Sequence, residues 1–404
     1  MSDKKIDIAV FFGAKSFEHD VSILTGIEVC RSLDDTKYNV IPIYLDMNNQ
    51  FWTGDALMSK TIYPLRDWGK SMLKEAKILV GESRPTLRIK EQGMFFSSYK
   101  NITFDVAFCA FHGDYGEDGA IQGLFEVANI PYTGCRALSS SIAMNKSIAK
   151  MLVKNKDIPT LGDIVIKNHR DDFFDIDKLT DEINIPFPLI VKPVSLGSSI
   201  GVSKANNKDE LNVSILQIFA LGEDVLIEPF VDNLEEYNLS ATKIFNNKIM
   251  TSSIERPNKK DAEFLGFIEK YKSGGSKKCG SKCGKFNNDN ASGMLSMSRT
   301  INPDELSIEE QKKLRNWTEK IFETLNCNGV VRVDFLCNSK TREFYFGEIN
   351  TIPGSLSSYL WEANEPPYVY TDITTAMIDE AIRLHNQTKG RIALSSSEIF
   401  KEKN

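Results

Sequence analysis

Apolar runs separated by glycine-containing turns dominate the first 140 residues. Continuous apolar stretches predict buried strands, and apolar positions spaced by three and four residues predict helices. We expect strands at 6–13, 38–45 and 104–111 and helices at 21–33 and 120–128. Alternating strands and helices are typical of an open parallel α/β sheet, so we predict such a domain over residues 1–140.

The second part of the chain has a different pattern. An apolar strand at 187–193 leads into a loop of small residues at 195–201 and then into another strand. Two further strands, 329–337 and 343–349, are separated by a short polar turn, which predicts a hairpin. Residues 273–292 are rich in Gly, Lys, Ser and Asn and have no periodicity, so we predict a flexible loop there.

Composition narrows the class of protein. The chain has 404 residues, 41% of them hydrophobic, and a net charge of −6. This charge disfavours nucleic acid as a partner. The apolar runs are too short to span a bilayer, and no secretory signal is evident, so we expect a cytosolic protein without a membrane partner. Seven cysteines, an odd number, disfavour a disulfide framework.

Lys192 lies inside an apolar strand, where a charge needs an anionic partner. The alternative is that the aliphatic part of its side chain packs against the protein while its ammonium reaches solvent. The following Gly197, Ser198, Ser199 and Gly201 offer backbone N–H groups and hydroxyls suited to phosphate. Their spacing matches neither the Rossmann fingerprint nor the Walker loop.

The two strands of the predicted hairpin carry acidic residues. Asp334, Glu348 and Asn350 offer oxygen ligands on paired strands, which suits magnesium. The alternative is that these groups are simply solvated. Arg332 is two residues before Asp334 and should share its face, placing an anion-binding group beside the metal.

Two other features are weaker. His112 follows the third strand, where open α/β sheets bind ligands, although the loop could be only a tight turn before a helix. Cys279 and Cys283 suggest zinc, but a structural zinc site needs four ligands and no second pair follows. We therefore expect free thiols.

Five blocks in one order resemble the D-alanine:D-alanine ligases of the ATP-grasp superfamily, over roughly residues 7–365. The blocks are FGAKSFEHDVS from Phe12, HGDYGEDGAIQG from His112, PYTG from Pro131 with Met144 and Lys146, VKP from Val191 with GSSIG from Gly197, and EINTIPG from Glu348. The resemblance implies a two-part ATP-grasp fold, with subdomains at 141–235 and 236–404, after the N-terminal domain.

The resemblance also implies an activity. Two D-alanines would be joined through an acyl phosphate, with ATP and Mg²⁺ (or Mn²⁺). The enzyme would be a homodimer, and its dipeptide product would be used to build the bacterial cell wall. It assigns catalysis to Glu18, Ser198, Arg332, Tyr271 and the Gly354 backbone. It assigns substrate binding to His112, Ser358, Tyr359 and Leu360. It assigns ATP binding to Lys146, Lys192, Ser199, Glu228, Glu236 and Lys270, and the metal to Asp334, Glu348 and Asn350.

Three departures from the family leave alternatives open. Leu196 replaces a usual acid, Tyr359 stands where a serine holds the acceptor carboxylate, and 273–292 lengthens the lid region. The acceptor could therefore be D-serine, D-lactate or another amino acid. A catalytically inactive nucleotide-binding relative is the other reading, and the retained lysines and acids disfavour it.

Overall fold

Three β-sheets follow one another along the chain in the computed structural model. It describes residues 4–63, 72–93, 96–168, 183–258 and 299–389, together with Ile176 and Thr180. The sheets contain seven, four and five strands. None of the described helices is long and apolar enough to cross a membrane.

The first sheet has a parallel centre. Its strands are β1 (Ile6–Gly13), β2 (Tyr38–Leu45), β3 (Phe51–Thr53), β4 (Lys74–Leu79), β5 (Thr86–Gln92), β6 (Ser97–Thr103) and β7 (Val106–Cys109), in the order β6-β5-β4-β3-β2-β1-β7. β1 is parallel to β2 and β7, whereas β2 to β6 pair antiparallel in sequence. The predicted parallel sheet is thus extended by an antiparallel meander.

Helices cover the parallel centre. The first, α1 (His19–Ser32), packs on β1, and α2 (Ala120–Val127) follows the loop after β7. β1 is buried along most of its length, and Phe11 makes an edge-to-face contact with Phe125 of α2. This packing explains why β1 is apolar on both faces.

The second sheet follows a helical connection. α3 (Ala137–Met144) and α4 (Lys146–Lys154) precede β8 (Ile164–Ile166), β9 (Leu189–Pro193), β10 (Ser203–Ala205), α5 (Lys208–Ala220) and β11 (Val225–Pro229). The sheet order is β10-β9-β11-β8, with every pair antiparallel. The predicted strand–loop–strand is therefore confirmed as β9, its loop and β10.

The third sheet carries the predicted hairpin. Its elements are β12 (Leu234–Thr242), β13 (Met250–Pro257), β14 (Arg299–Ile301), α6 (Ile308–Thr324), β15 (Val330–Asn338) and β16 (Glu343–Asn350). The order is β14-β13-β12-β15-β16. A capping box of Ser307 and Glu310 starts α6, whose buried face packs on this sheet. Tyr237 and Leu239 belong to that core, so the alternating residues of β12 face the opposite side.

The end of the described chain returns to the first domain. A turn at Gly354–Ser357 leads into α7 (Ser358–Glu362), and α8 (Tyr370–Lys389) follows. Ile373 and Met377 of α8 lie in the same buried cluster as the core of the first sheet. The domain boundaries at 140 and 235 stay predictions, and β12 (Leu234–Thr242) of the third sheet crosses the second of them.

Candidate functional site

Glu18 lies where the first domain meets the loop after β9. It comes just before α1, and its carboxylate accepts a hydrogen bond from the Ser198 hydroxyl. A Cβ added to Gly197 would lie 2.9 Å from Glu18 Oε2, and one added to Gly113 would lie 3.0 Å from it. These two glycines therefore let three loops close around one carboxylate.

The loop beyond Gly197 has an unusual backbone. Ser198 and Ser199 have φ of 52° and 58°, and Gly201 has φ of 70°. Left-handed residues in succession turn backbone N–H groups toward one side and can form an anion-binding concavity. The observed backbone fits the predicted phosphate loop. Leu196, one of the departures from the family, is buried, and its carbonyl accepts a hydrogen bond from the Lys146 ammonium.

His112 is buried in the loop that follows β7. Its Nε2 lies 2.8 Å from Thr25 Oγ1, and its Nδ1 lies 4.0 Å from Glu117 Oε2. Burial, with the charge of Arg332 adding to it, lowers the pKa of His112 to about 4. The imidazole is therefore neutral near pH 7 and can orient a substrate without adding a charge.

Glu117 belongs to the same site and was missed by the sequence reasoning. Its carboxylate accepts hydrogen bonds from the backbone N–H groups of Gly113 and Ile352, both at 2.9 Å. Burial and the nearby Glu18 raise its pKa. The signal was present, because Glu117 follows His112 by five residues in a glycine-rich loop.

The two predicted phosphate lysines lie on different elements. Lys146 begins α4, which Asn145 caps, and its Nζ lies 3.7 Å from Glu348 Oε2. Lys192 on β9 lies 2.6 Å from a carboxylate oxygen of Glu228 on β11. The expected anionic partner of Lys192 is confirmed. Burial alone would lower the pKa of Lys192, and Glu228 more than offsets this effect.

A second buried lysine joins this group. Lys150 of α4 pairs with Glu228, and its Nζ lies 3.2 Å from Asp163 Oδ1. Burial alone would raise the pKa of Glu228, but Lys192 and Lys150 together hold it below its usual value. The sequence reasoning missed Lys150, although it is four residues after Lys146 and so shares its helix face.

The hairpin acids converge as predicted. Asp334 of β15 is directly opposite Glu348 of β16, and Arg332 is opposite Asn350. Arg332 grips Asp334 through Nε and Nη2, both at 2.7 Å, and Asn350 Nδ2 donates to Asp334 Oδ2 at 3.1 Å. The shared face of Arg332 and Asp334 is therefore confirmed.

This donor set fits magnesium. Two carboxylates and an amide on adjacent strands supply hard oxygen ligands, and magnesium takes few protein groups beside water and phosphates. Within the described ranges, no cluster of three or more His, Cys, Asp or Glu side chains forms a protein-only metal site. A metal shared with nucleotide phosphates is consistent with that finding.

The same face of the sheet carries further polar residues. Four residues are directly opposed on four neighbouring strands, and we call them the polar row: Glu255 of β13, Asn238 of β12, Asp334 of β15 and Glu348 of β16. Directly opposed residues in an antiparallel pair point to the same side. Glu236 precedes Asn238 by two residues and shares this face. Sequence reasoning did not identify Asn238 or Glu255.

The segment predicted to bind the acceptor lies beside this row. After Gly354, residues 355–357 have φ of 48°, 52° and 51°, an unusual left-handed turn without glycine. Ser358 and Leu360 are buried in α7. The Tyr359 hydroxyl donates to Glu255 Oε1 at 2.8 Å, and the Arg299 guanidinium lies 3.9 Å from the centre of the Tyr359 ring.

A pocket collects many of these groups. Its lining includes Glu18, Glu117, Lys146, Gly197, Glu348 and Asn350. Predicted residues that lie outside the described ranges are Lys270, Tyr271, the loop 273–292, Cys279 and Cys283. The five described cysteines, Cys30, Cys109, Cys135, Cys327 and Cys337, are buried free thiols.

Two family models match this chain, one over its N-terminal part and one over the remainder. Residues 7–135 match the family model "D-ala D-ala ligase N-terminus", and residues 152–379 match "D-ala D-ala ligase C-terminus". The D-alanine--D-alanine ligase of Thermosipho africanus is 33% identical over 398 residues, covering 98% of each chain.

Solved structures show the same fold. The D-alanine-D-alanine ligase of Helicobacter pylori superposes with a TM-score of 0.66 at 26% identity, covering 94% of this chain and 98% of that one. The VanG D-Ala:D-Ser ligase of Enterococcus faecalis gives a TM-score of 0.70 at 23% identity, covering 94% and 100%. With its ATP-grasp fold, the chain belongs to the D-alanine–D-alanine ligase family of ATP-dependent ligases.

Proposed function

We propose that this protein joins two molecules of D-alanine, with ATP converted to ADP and phosphate. The observation that carries the proposal is the pocket that Glu18, Lys146, Glu348 and Asn350 line together. An acid for an ammonium, a lysine for a phosphate and two metal-type oxygen donors thus face one cavity. The name of the Thermosipho africanus relative supports D-alanine as the substrate.

In the first step, a carboxylate oxygen of the donor D-alanine attacks the γ-phosphorus of ATP, and ADP leaves. Glu18 would hold the donor ammonium, while neutral His112 would orient the molecule. Lys146 and Lys192 would neutralise the phosphates, and Lys192 would then exchange part of its contact with Glu228 for phosphate oxygens. Positioning and charge neutralisation supply the catalysis.

In the second step, the amine of the acceptor attacks the carbonyl carbon of the acyl phosphate, and phosphate leaves. Negative charge develops on the carbonyl oxygen. Arg332 would stabilise it through Nη1, since Asp334 engages Nε and Nη2. The Gly354 N–H would be the second donor, at the start of the left-handed turn.

Asp334, Glu348 and Asn350 would hold the magnesium, which supplies charge neutralisation for the ATP phosphates when bound. Glu228 and Glu236 would contact the adenine and ribose.

We further propose that the active form is a cytosolic homodimer. The family resemblance supports this proposal, and light scattering of the purified protein tests the oligomeric state.

The acceptor has a second candidate identity. The Tyr359 hydroxyl is committed to Glu255, so it is not placed like a serine that holds a carboxylate. This contact favours testing D-serine and D-lactate beside D-alanine as acceptors.

Phosphate release with magnesium, ATP and a panel of D- and L-amino acids tests the proposal. We expect turnover that depends on D-alanine, with a dipeptide of D-alanine identified by mass spectrometry. Glu348→Gln should abolish it, whereas Glu343→Gln, an exposed acid at the start of the same strand, should not. Turnover that ignores D-alanine would contradict the proposal, and unchanged activity in Glu348→Gln would contradict the metal assignment.

A further inference from the structure

One face of α1 carries polar side chains that point into the molecule. Ser22, Thr25 and Glu28 follow one another at intervals of three residues, so they lie on adjacent turns of one face. Ser22 and Thr25 are fully buried, and Glu28 is partly buried. Buried polar groups cost free energy unless they are paired, and each of these three side chains contacts a segment around the candidate site.

The first two residues hold the ends of two strands. Ser22 Oγ accepts a hydrogen bond from the Gly13 N–H at 2.7 Å and donates one to the Ala110 carbonyl at 3.0 Å. Thr25 Oγ1 lies 2.8 Å from His112 Nε2. Gly13 ends β1, and Ala110 and His112 follow β7. This face of α1 therefore fixes the segments on which the proposed donor site is built.

Glu28 reaches the turn Gly354–Ser357, which we call the acceptor turn. The Glu28 Oε2 atom accepts a hydrogen bond from the Ser355 hydroxyl at 2.6 Å, across 327 positions of the chain. Ser355 is 5% exposed and directly follows Gly354, the proposed second donor to the oxyanion. One helix therefore contacts both the donor side and the acceptor side of the proposed site.

The acceptor turn has a backbone that needs support. Ser355, Leu356 and Ser357 all have left-handed φ angles, between 48° and 52°. Such angles are strained for residues other than glycine and persist only where the surroundings hold them. Within the turn, the Leu356 N–H donates to the Pro353 carbonyl at 2.8 Å. Glu28 adds a charge-assisted hydrogen bond from outside the turn, so its loss should let the turn shift.

The Glu28 carboxylate lies in a weakly solvated pocket. Burial raises the pKa of Glu28, and the Ser355 hydroxyl lowers it by a smaller amount. The Tyr370 side chain is close, because the charge of Glu28 adds to burial in raising the pKa of that phenol. A hydrogen bond in such surroundings is stronger than the same bond in water. The contact between Glu28 and Ser355 is therefore suited to fixing a position.

We propose that Glu28 is a positioning residue for the second step of the reaction. Through Ser355 it holds the Gly354 N–H where the oxyanion develops, and it holds the start of α7 beside the acceptor amino acid. It acts through Ser355 and is not itself a catalytic residue. This inference rests on the proposed ligase function, and it adds a residue that none of the five sequence blocks contains.

Two rates measured in one reaction test the inference. ATP that carries ¹⁸O in the bridge between the β- and γ-phosphates reports the first step. When bound ADP attacks the acyl phosphate and forms ATP again, rotation of the β-phosphate moves the label out of the bridge, whereas dipeptide formation reports both steps. The ratio of label scrambling to dipeptide formation is independent of the amount of folded enzyme. It rises when the second step slows relative to reversal of the first.

Glu28→Met keeps the length of the side chain and removes the acceptor oxygens. We expect it to raise the ratio about tenfold or more, because a displaced oxyanion donor slows the second step. Glu28→Gln keeps an oxygen that can accept from Ser355 and should raise the ratio less. Ser355→Ala should match Glu28→Met, and the double variant should show no further rise. Glu362→Gln, which changes an exposed acid of α7, is the control and should keep the wild-type ratio.

A wild-type ratio in Glu28→Met would overturn the inference, because a merely structural role lowers both rates together. Rises that multiply in the double variant would also overturn it, since Glu28 would then act by another route than Ser355. If Glu28→Met does not fold, wild-type ratios in Glu28→Gln and Ser355→Ala overturn the inference in its place. A wild type that forms no D-alanine dipeptide would instead overturn the proposed function, and the inference with it.

Discussion

Replacement of Lys150 by methionine tests the buried charge group of the nucleotide site. Lys150 is 1% exposed and pairs with Glu228, which is itself 3% exposed, and with Asp163 at 3.2 Å. Methionine keeps most of the packed stem and removes the charge. Glu228 then keeps a single cation, Lys192, at 2.6 Å.

The expected loss follows from these contacts. Breaking a buried ion pair costs roughly 3–5 kcal/mol because a charge is left without compensation. Since Lys192 still pairs with Glu228, we expect the lower end, a loss of about 3 kcal/mol in the free energy of unfolding. The pKa of Glu228 should rise because one of the two charges that lower it is gone. If Glu228 contacts the adenine, the KM for ATP should rise as well.

Urea unfolding followed by circular dichroism measures the first effect, and initial rates of phosphate release at varied ATP measure the second. Lys154→Met, an exposed lysine in the last turn of the same helix, is the matched control and should change neither. The double variant Lys150→Met/Glu228→Gln should lose less than the sum of the single losses. A loss no larger than that of Lys154→Met, or additive single effects, would refute the reasoning.

Four other substitutions, three of glycines and one of a histidine, give further predictions. Gly26→Ala in α1 should destabilise the protein by roughly 1–3 kcal/mol, because the added Cβ would lie 2.3 Å from an aromatic ring of β1. Gly123→Ala in α2 should instead stabilise the protein by about 0.5–1 kcal/mol, because its Cβ would meet open space. Urea unfolding measures both changes. Gly197→Ala should lower kcat/KM for D-alanine about tenfold or more, because its Cβ would lie 2.9 Å from Glu18 Oε2; a wild-type value would contradict the placement. The pKa of His112 is lowered to about 4 in the folded protein, so the unfolded chain binds the extra proton first as the pH falls. The stability of the wild type relative to His112→Gln should therefore decrease by up to about 3 kcal/mol between pH 7 and pH 4, and parallel pH profiles of the two proteins would contradict this.

Much of the secondary structure was predictable because local patterns determine it. The strands at 6–13 and 38–45 match the observed β1 and β2, because both are apolar runs with clear ends. The helix predicted at 21–33 is observed at His19–Ser32. The strand predicted at 104–111 is shorter, Val106–Cys109, because apolar residues continue past the paired segment into buried loops.

The candidate site was only partly predictable. Arg332 and Asp334 share a strand face by simple alternation, and this relation follows from sequence spacing. The pairing of Lys150 with Glu228 joins residues 78 positions apart, and the link between Tyr359 and Glu255 joins residues 104 positions apart. Such contacts depend on strand register and domain packing, which no local pattern specifies.

Transfer of an oxygen atom from substrate to phosphate tests the central claim most directly. D-Alanine labelled with ¹⁸O in both carboxylate oxygens is incubated with the enzyme, ATP and magnesium, and the released phosphate is analysed by mass spectrometry. If an acyl phosphate forms, the donor carboxylate oxygen that attacks the γ-phosphorus stays bonded to that phosphorus. It is then released as part of the phosphate when the acceptor amine attacks the carbonyl carbon. We therefore expect one ¹⁸O atom in each phosphate released with a dipeptide. Unlabelled phosphate accompanying dipeptide formation would contradict the account.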